Sequence, residues 1–220
     1  MSYKFNRNCH VKSLEENMFC LHGRRSGEGV EGSRVGGLRA YEKSLESSLG
    51  ASHSAPLGIE ERITGALGLH AGWGETLKGE ERIERLMRRL EKNLQVSRRT
   101  MGDLGILQTC AECDEKAPEG SCCSRGLEKK YGLVLLLLNL MLGAELPGWR
   151  LRRDSCYFLG HRGCMLKVRH PLCVDYLCPQ LETTLGREGL MRIQAVSGEE
   201  IEAAFLLEEA VKEALRRHLQ

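Results

Sequence analysis

The sequence predicts a mainly α-helical, irregular domain, with a cysteine-rich core around a buried apolar helix and a flexible N-terminal tail. Three observations predict this class. The run LVLLLLNLML (residues 133–142) is apolar nearly all round and rich in Leu, which favours a buried helix over a strand. Residues 78–98 carry the spacing of an amphipathic helix. Eight of the ten cysteines lie between Cys110 and Cys178.

The N-terminal segment differs in composition from the rest of the chain. The stretch GRRSGEGVEGSRVGG (residues 23–37) contains six glycines, and its only apolar side chains are Val30 and Val35. Such a stretch cannot bury enough surface to offset its ordering entropy. We therefore expect a flexible tail over residues 1–55 and one helical domain over residues 56–220, with the cysteine cluster at 110–180.

The first half of this domain contains two helical patterns. IEERITGALGLH (residues 59–70) places Ile59, Ile63, Ala66, Leu67 and His70 on one face, although its glycines weaken the pattern. GEERIERLMRRLEKNLQ has apolar residues at helical spacing and charges at most other positions, which predicts an amphipathic helix from about Lys78 to Arg98. Its apolar face consists of Ile83, Leu86, Met87, Leu90 and Leu94.

Two further helices are predicted in the second half. The apolar run continues to Leu146, where Pro147-Gly148 ends it. The C-terminal stretch VSGEEIEAAFLLEEAVKEALRRHLQ (residues 196–220) has acids at its start and bases at its end, as the helix dipole prefers. Ser197 and Glu200 have the S-x-x-E spacing of a capping box, which places the start of this helix at Ser197. Residues 156–180 are expected to be loop-like.

Charge and hydropathy narrow the possible surroundings and partners. The N-terminus contains no apolar stretch before a small-residue cleavage site, so no secretory signal is expected. The apolar run is shorter than the roughly 20 residues that cross a bilayer. The formal net charge is +2, which argues against a nucleic-acid partner for the molecule as a whole. We expect a cytoplasmic protein with no membrane partner.

The cysteine spacing indicates metal chemistry. Because disulfides are rare in a reducing compartment, clustered cysteines there point to metal binding or redox chemistry. The pattern is C-x2-C-x8-C-C, then 32 residues, then C-x7-C-x8-C-x4-C, and C-x2-C lets two thiolates bind one tetrahedral ion. Two four-thiolate zinc sites and one iron–sulfur cluster with spare thiols both fit, and either gives a metal-stabilised core. The candidate ligands are Cys110, Cys113, Cys122, Cys123, Cys156, Cys164, Cys173 and Cys178.

Local charge supports thiolate ligands. The adjacent Cys122 and Cys123 are expected near a helix start, where backbone N–H groups stabilise thiolates. Between Gly148 and His170 the sequence has six Lys or Arg and one acid. These cations either offset the formal negative charge of a thiolate site, or form a solvated basic loop, or form a loop that meets an acidic partner or RNA phosphate. His161 and His170 are further, weaker ligand candidates.

The segments CAEC, GSCC, CYFLGHRGCML and HPLCVDYLC together resemble the YkgJ-like, or CxxCxxCC, family of zinc- or iron-chelating cysteine-cluster proteins, over about residues 110–180. The spacing departs from the family pattern: eight residues, not two, separate Cys113 from the CC pair, and His170-Pro171 stands where Arg-Pro is commoner. The resemblance implies metal binding. One similar branch, the flagellin lysine methylases, uses S-adenosylmethionine, but this chain has no Gly-rich nucleotide loop after a clear strand.

Three functions follow as expectations. The first is a metal- or iron–sulfur-binding protein with a redox, electron-transfer or metal-handling role and a protein or redox partner. The second is a zinc-stapled protein-interaction module. The third is an S-adenosylmethionine-linked protein methyltransferase. The sequence contains no recognisable Ser-His-Asp set, H-E-x-x-H or P-loop, so it assigns no catalytic residue and leaves open whether the protein is an enzyme.

Overall fold

A computed structural model describes residues 57–116 and 121–219, together with the single positions 36, 39 and 41. These residues form six α-helices and one two-stranded antiparallel sheet, so the predicted mainly helical class is confirmed. Metal stabilisation of the core stays a prediction. The elements are α1 (Ile59–Lys78), α2 (Glu81–Asp103), α3 (Ile106–Lys116), a 3-10 helix (Leu127–Lys130), α4 (Leu133–Met141), β1 (Leu159–Gly160), β2 (Gly163–Cys164), α5 (Pro171–Asp175) and α6 (Pro179–Leu219).

Helix α1 is longer than its sequence pattern predicts. Gly65, Gly72 and Gly74 are all buried, and small residues on a buried face let neighbouring elements pack closely. A Cβ atom at Gly74 would lie 2.8 Å from the His70 ring, which explains why a residue without a side chain is suited to that position. Leu67, which the pattern places on the apolar face, is 48% exposed, so that detail of the prediction is wrong.

Helix α2 confirms the predicted amphipathic helix but begins at Glu81, because Lys78 belongs to α1 and the chain turns at Gly79. Its apolar face packs antiparallel against α6. Ion pairs fix this arrangement at both ends, with 2.7 Å between Arg82 and Glu213 and 3.3 Å between Arg192 and Asp103.

Helix α4 is the buried apolar helix that the sequence predicts, and all nine of its residues are buried. It ends at Met141 rather than near Pro147, because Gly143 adopts a left-handed conformation (φ 74°) that cannot continue a helix. Its one polar residue, Asn139, is fully buried. The Asn139 amide donates to the Leu135 and Val168 carbonyls at 2.9 and 3.0 Å, and its oxygen accepts from the Val168 N–H at 2.9 Å.

The predicted helix start at Ser197 is wrong. Helix α6 begins at Pro179, kinks at Gly186 (φ 59°) and continues to Leu219. Ser197 and Glu200 lie within it and are only 3% and 2% exposed, so they do not form a capping box. The apolar residues Leu181 and Ile193, which precede the predicted start, extend the buried face and carry the helix further back along the chain.

Residues 156–180 contain more order than expected. Strands β1 and β2 form a hairpin in which Leu159 pairs with Cys164 and Gly160 with Gly163. The short helix α5 follows and begins at a proline, with the His170 side chain accepting a hydrogen bond from the Leu172 N–H. The segment is therefore partly structured, and its turns bring cysteines to defined places.

Buried apolar side chains form two clusters. The large cluster contains α4 and the facing sides of α1, α2 and α6. The small cluster consists of Ile106, Leu181 and Ile193 with partly buried neighbours around them. Among the described residues, no helix is both long and apolar enough to cross a membrane.

One residue of the predicted N-terminal tail belongs to the large cluster. Tyr41 is 2% exposed, and its hydroxyl donates to the Lys212 carbonyl at 3.4 Å. Gly36 and Arg39 are exposed. Otherwise the segment 1–55, with Cys9 and Cys20, lies outside the described residues.

Candidate metal centre

All eight predicted ligand cysteines line a single cavity of about 500 Å³. Each is a free thiol. The apolar part of the wall comes from both hydrophobic clusters, and the cavity lies where α3, the β1–β2 hairpin, α5 and the start of α6 meet. The chain therefore brings together cysteines that are up to 68 positions apart in sequence. Their role as ligands stays a prediction.

Different elements present the thiols to this cavity. Cys110 and Cys113 lie on α3, and their spacing of three residues puts both on one side of the helix. Cys164 lies on β2 and Cys173 on α5. Cys178 directly precedes α6. Thus both C-x2-C cysteines occupy a helix, not the tight turn that the motif is usually found in.

The remaining cysteines are held by pairing between two loops. The Cys156 N–H donates to the Cys123 carbonyl at 2.7 Å, and the Arg125 N–H donates to the Asp154 carbonyl at 2.9 Å. Between these bonds, Ser124 and Ser155 form an antiparallel bridge. The ladder places Cys123 beside Cys156.

The effects of the thiols on one another's pKa values link them mainly as two groups of four, with Cys122 in contact with both. Burial raises the pKa of Cys110 to about 11, and the neighbouring thiols of Cys122, Cys178 and Cys113 raise it further. Burial and the thiols of Cys122 and Cys178 likewise raise the pKa of Cys113. We call this the first thiol group, which comprises Cys110, Cys113, Cys122 and Cys178.

The second thiol group comprises Cys123, Cys156, Cys164 and Cys173. Burial raises the pKa of Cys156 to about 11, with smaller contributions from Cys164 and Cys173. Burial also raises the pKa of the Cys164 thiol, although residue 164 as a whole is exposed. Cys164 and Cys173 thus raise the pKa of both Cys123 and Cys156, and Cys173 raises that of Cys164.

Cys122 links the two groups through its neighbour Cys123. A hydrogen bond from the Cys123 thiol lowers the pKa of Cys122 to about 6, against an opposing effect of burial, and backbone N–H groups lower it further. The same side-chain hydrogen bond, together with burial, raises the pKa of Cys123. The pair lies in a turn before the 3-10 helix that begins at Leu127, so backbone N–H groups stabilise the thiolate as expected, but not from a helix start.

Several buried polar contacts fix the backbone around the second group. The Tyr131 hydroxyl accepts from the His170 N–H at 3.0 Å and donates to the Cys173 sulfur at 3.6 Å. Arg150 pairs with the buried Glu128 carboxylate at 2.5 Å. Together with Asn139, these contacts tie both cysteine-bearing loops to α4 and the 3-10 helix.

Only part of the basic segment faces the thiols. Arg169 lines the cavity, and its charge lowers the pKa of Cys110, Cys164 and Cys173 against the raising effect of burial. It is thus the cation that both thiol groups share. Arg150 is instead used in the ion pair with Glu128.

The two histidine candidates differ in their surroundings. His161 lines the cavity from the exposed turn of the β1–β2 hairpin. His170 uses its Nδ1 atom to cap α5, and burial lowers its pKa. Among the described residues, no three His, Cys, Asp or Glu side chains are arranged as a group that could hold a metal ion.

The sequence pattern predicted the thiols of this cavity but not the residues that support them. Tyr131, Asn139 and Glu128 each fix a cysteine segment and were not among the predicted site residues, whereas Arg169 belongs to the cations that were expected to offset thiolate charge. Asn139 had a detectable signal, since a lone amide inside an apolar run has to find buried partners. The pairing of Glu128 with Arg150 had none, because 21 residues separate them in the chain.

Comparison with family models, curated proteins and solved structures found no match to this chain. The resemblance to the CxxCxxCC family stays a prediction that rests on the motifs themselves.

Proposed function

We propose that this protein binds iron–sulfur clusters, or metal ions, through its eight cavity thiols and serves in redox, electron transfer or metal handling. The observation that carries the proposal is the convergence of all eight cysteines on one cavity. Four thiolates are the donor set that both tetrahedral zinc and the common iron–sulfur clusters take, and eight thiols supply two such sets. Apolar side chains also line the cavity, and Cys156 is buried in it.

The cavity has room for a cluster. Four thiolates on one zinc ion converge at about 2.3 Å from it. In a [4Fe–4S] cluster each thiolate binds a different iron atom, so the sulfur atoms stand further apart around a larger inorganic body. A cavity of about 500 Å³ that all eight cysteines line can hold a body of this size.

Eight thiols supply two sets of four ligands, so the proposal is for two neighbouring centres. Cys122 and Cys123 would then be assigned to different sets, and the peptide bond that joins them would link the two centres. Arg169, whose charge reaches both groups, is placed to offset the negative charge of either. The chemistry that a bound cluster supplies is one-electron transfer at a potential set by its ligands and burial.

Anaerobic purification followed by analysis of iron, acid-labile sulfide and zinc tests the proposal. We expect a brown protein with iron and sulfide in equal amounts and a visible absorption that dithionite bleaches. Serine substitution at Cys113 should remove iron from the first centre and leave the second, whereas substitution at Cys156 should do the reverse. Protein that binds no metal under these conditions contradicts the proposal.

A zinc-stapled interaction module is the second candidate. The observation that favours it is the C-x2-C pair on one side of α3, which is suited to binding a single ion. In that case the purified protein is colourless, contains stoichiometric zinc, and loses cooperative unfolding when zinc is chelated. No feature of the described residues favours the methyltransferase alternative over these two.

A further inference from the structure

We propose that the basic surface beside the cysteine cavity docks an acidic protein. We call this surface the basic rim, and it consists of Arg125, Arg152, Arg153 and Arg162. All four are exposed. The binding part of the inference stands on this surface alone, whereas a redox role for the partner rests on the proposed function.

Local pairing of the backbone gathers these cations at the cavity. The hydrogen bond from the Arg125 N–H to the Asp154 carbonyl brings the loop of Arg125 against the loop that carries Arg152 and Arg153. Arg162 lies in the turn of the β1–β2 hairpin, two residues before Cys164, and lines the cavity together with Arg152. Two members of the rim therefore border the cavity that the exposed residues Cys122 and Cys164 also line.

Most of the rim has no charge partner of its own. Arg152 pairs with Asp114, but Arg125, Arg153 and Arg162 have no ion pair among the residues that the structure describes. By contrast, the other cations of this segment have interior roles: Arg150 pairs with Glu128, and Lys167 donates to the Leu142 carbonyl at 2.5 Å. The folded chain has thus separated structural cations from ones that are available to a partner.

Exposed apolar side chains within the rim indicate a protein partner. Trp149 is 71% exposed and Leu151 is 38% exposed, and both lie in the segment that carries Arg152 and Arg153. Tryptophan and arginine are the residues most enriched at the energetic centres of protein interfaces.

Trp149 also supplies a reporter for the test. The chain has two tryptophans, and the other, Trp73, is partly buried and stacks on His218 at 4.0 Å. We suggest titrating the full-length, metal-loaded protein with poly-L-glutamate, which has no tryptophan, while following tryptophan emission. The expected result is a saturable change that weakens as salt is added and disappears in Trp149→Phe.

Charge reversal tests whether the rim itself is the binding surface. Arg153→Glu combined with Arg162→Glu should weaken binding by about tenfold or more, and the neutral pair Arg153→Gln with Arg162→Gln should weaken it less. The matched control carries the same charge change on α2, as Arg85→Glu with Lys92→Glu. Equal losses in the rim variant and the control would overturn the inference, as would tighter binding of poly(U) RNA than of polyglutamate.

Metal analysis of the same samples separates the two proposals. Metal-loaded protein that fails to bind polyglutamate overturns the rim and leaves the proposed function intact. Protein that contains no metal but binds polyglutamate through the rim contradicts the proposed function and leaves the rim inference intact. Circular dichroism of each variant shows whether it is folded. If the double glutamate variant does not fold, the binding measured for the double glutamine variant decides the test.

Discussion

The Tyr131 hydroxyl donates a hydrogen bond to the Cys173 sulfur at 3.6 Å, directly beside the apolar helix α4. The same oxygen accepts from the His170 N–H at 3.0 Å. A single buried phenol therefore fixes both the backbone before α5 and the thiol on it. Burial, followed by the potential charges of Cys164 and Cys173, raises the pKa of Tyr131, so the hydroxyl keeps its proton at neutral pH.

Removal of this hydroxyl should loosen the second thiol group. In Tyr131→Phe the His170 N–H loses its acceptor, and we expect a loss of about 1–2 kcal/mol in the free energy of unfolding. In metal-free protein, Cys173 should also react faster with iodoacetamide, which mass spectrometry of the labelled peptide measures. The control is Tyr157→Phe, since the Tyr157 hydroxyl has no hydrogen bond among the described residues. Similar labelling of Cys173 in both variants would contradict the positioning role.

Asn139 should be far more important for stability than a polar residue on the surface. Asn139→Ala removes three hydrogen bonds and leaves the Val168 N–H and carbonyl buried without partners. We expect the free energy of unfolding, measured with urea, to fall by about 2–3 kcal/mol. Asn93 donates one exposed hydrogen bond to the Glu199 carbonyl, so Asn93→Ala is the control and should cost less than about 1 kcal/mol. If Asn139→Ala lowered the free energy of unfolding no more than Asn93→Ala does, the structural role of Asn139 would be contradicted.

The Glu128–Arg150 pair should make stability depend on pH. Burial opposes ionisation of Glu128, but hydrogen bonds from Arg150 and from backbone N–H groups outweigh it and lower the pKa of the carboxyl. The stabilisation is therefore complete above the ordinary glutamate pKa, and it is lost as the pH falls through the lowered value. Thermal unfolding of the wild type from neutral pH down to about pH 3 should show this loss, and Glu128→Gln should not.

Removing one partner of the Glu128–Arg150 ion pair should lower the free energy of unfolding. Arg150→Gln leaves a carboxylate buried without its partner, for which we expect a loss of about 3 kcal/mol. The double variant Glu128→Gln with Arg150→Gln should be more stable than Arg150→Gln alone, because no unpaired charge remains. The exposed pair of Arg88 with Glu84 is the control, and Arg88→Gln should cost at most about 1 kcal/mol. Equal losses at the two arginines would show that burial of the pair has no effect.

Cys122 should be the most reactive thiol of the site in metal-free protein. Its pKa of about 6 means that it is mostly thiolate at pH 7, whereas Cys110 and Cys156, with values of about 11, remain protonated. Labelling by iodoacetamide in the presence of a chelator should rise through about pH 6 at Cys122. Cys123→Ala removes the donor whose hydrogen bond lowers this pKa, so the profile should move to higher pH. An unchanged profile in that variant would contradict the assigned cause.

The sequence pattern predicted the helices whose apolar residues recur at a clear spacing within the segment itself. Helices α2 and α4 were found because amphipathic spacing and an unbroken apolar run each leave few alternatives. The start of α6 was misplaced, since Ser197 and Glu200 have the local chemistry of a cap while tertiary contacts of Leu181 and Ile193 extend the helix to Pro179. Long-range packing overrides a local signal of this kind.

The membership of the site was predictable, but its arrangement was not. Spacing identified the eight cysteines, which all reach one cavity. Their arrangement depends on two long-range contacts. Cys110 and Cys178 pack against the same small apolar cluster, and residues 123–125 pair with residues 154–156. The spacing of cysteines in the sequence predicts neither contact. The difference between Arg150, which is structural, and Arg153, which is free of ion pairs among the described residues, likewise requires the folded chain.

The two thiol groups pack against apolar clusters of different size. Cys156 belongs to the large apolar cluster, and Cys123 and Cys173 pack against it, whereas Cys110 and Cys178 pack only against the small cluster around Ile106, Leu181 and Ile193. Regions with few buried apolar contacts open at lower free-energy cost than the core of a domain. Heat should therefore open the α3 side of the cavity first, so that Cys110 and Cys178 become accessible to oxidants before Cys156 does.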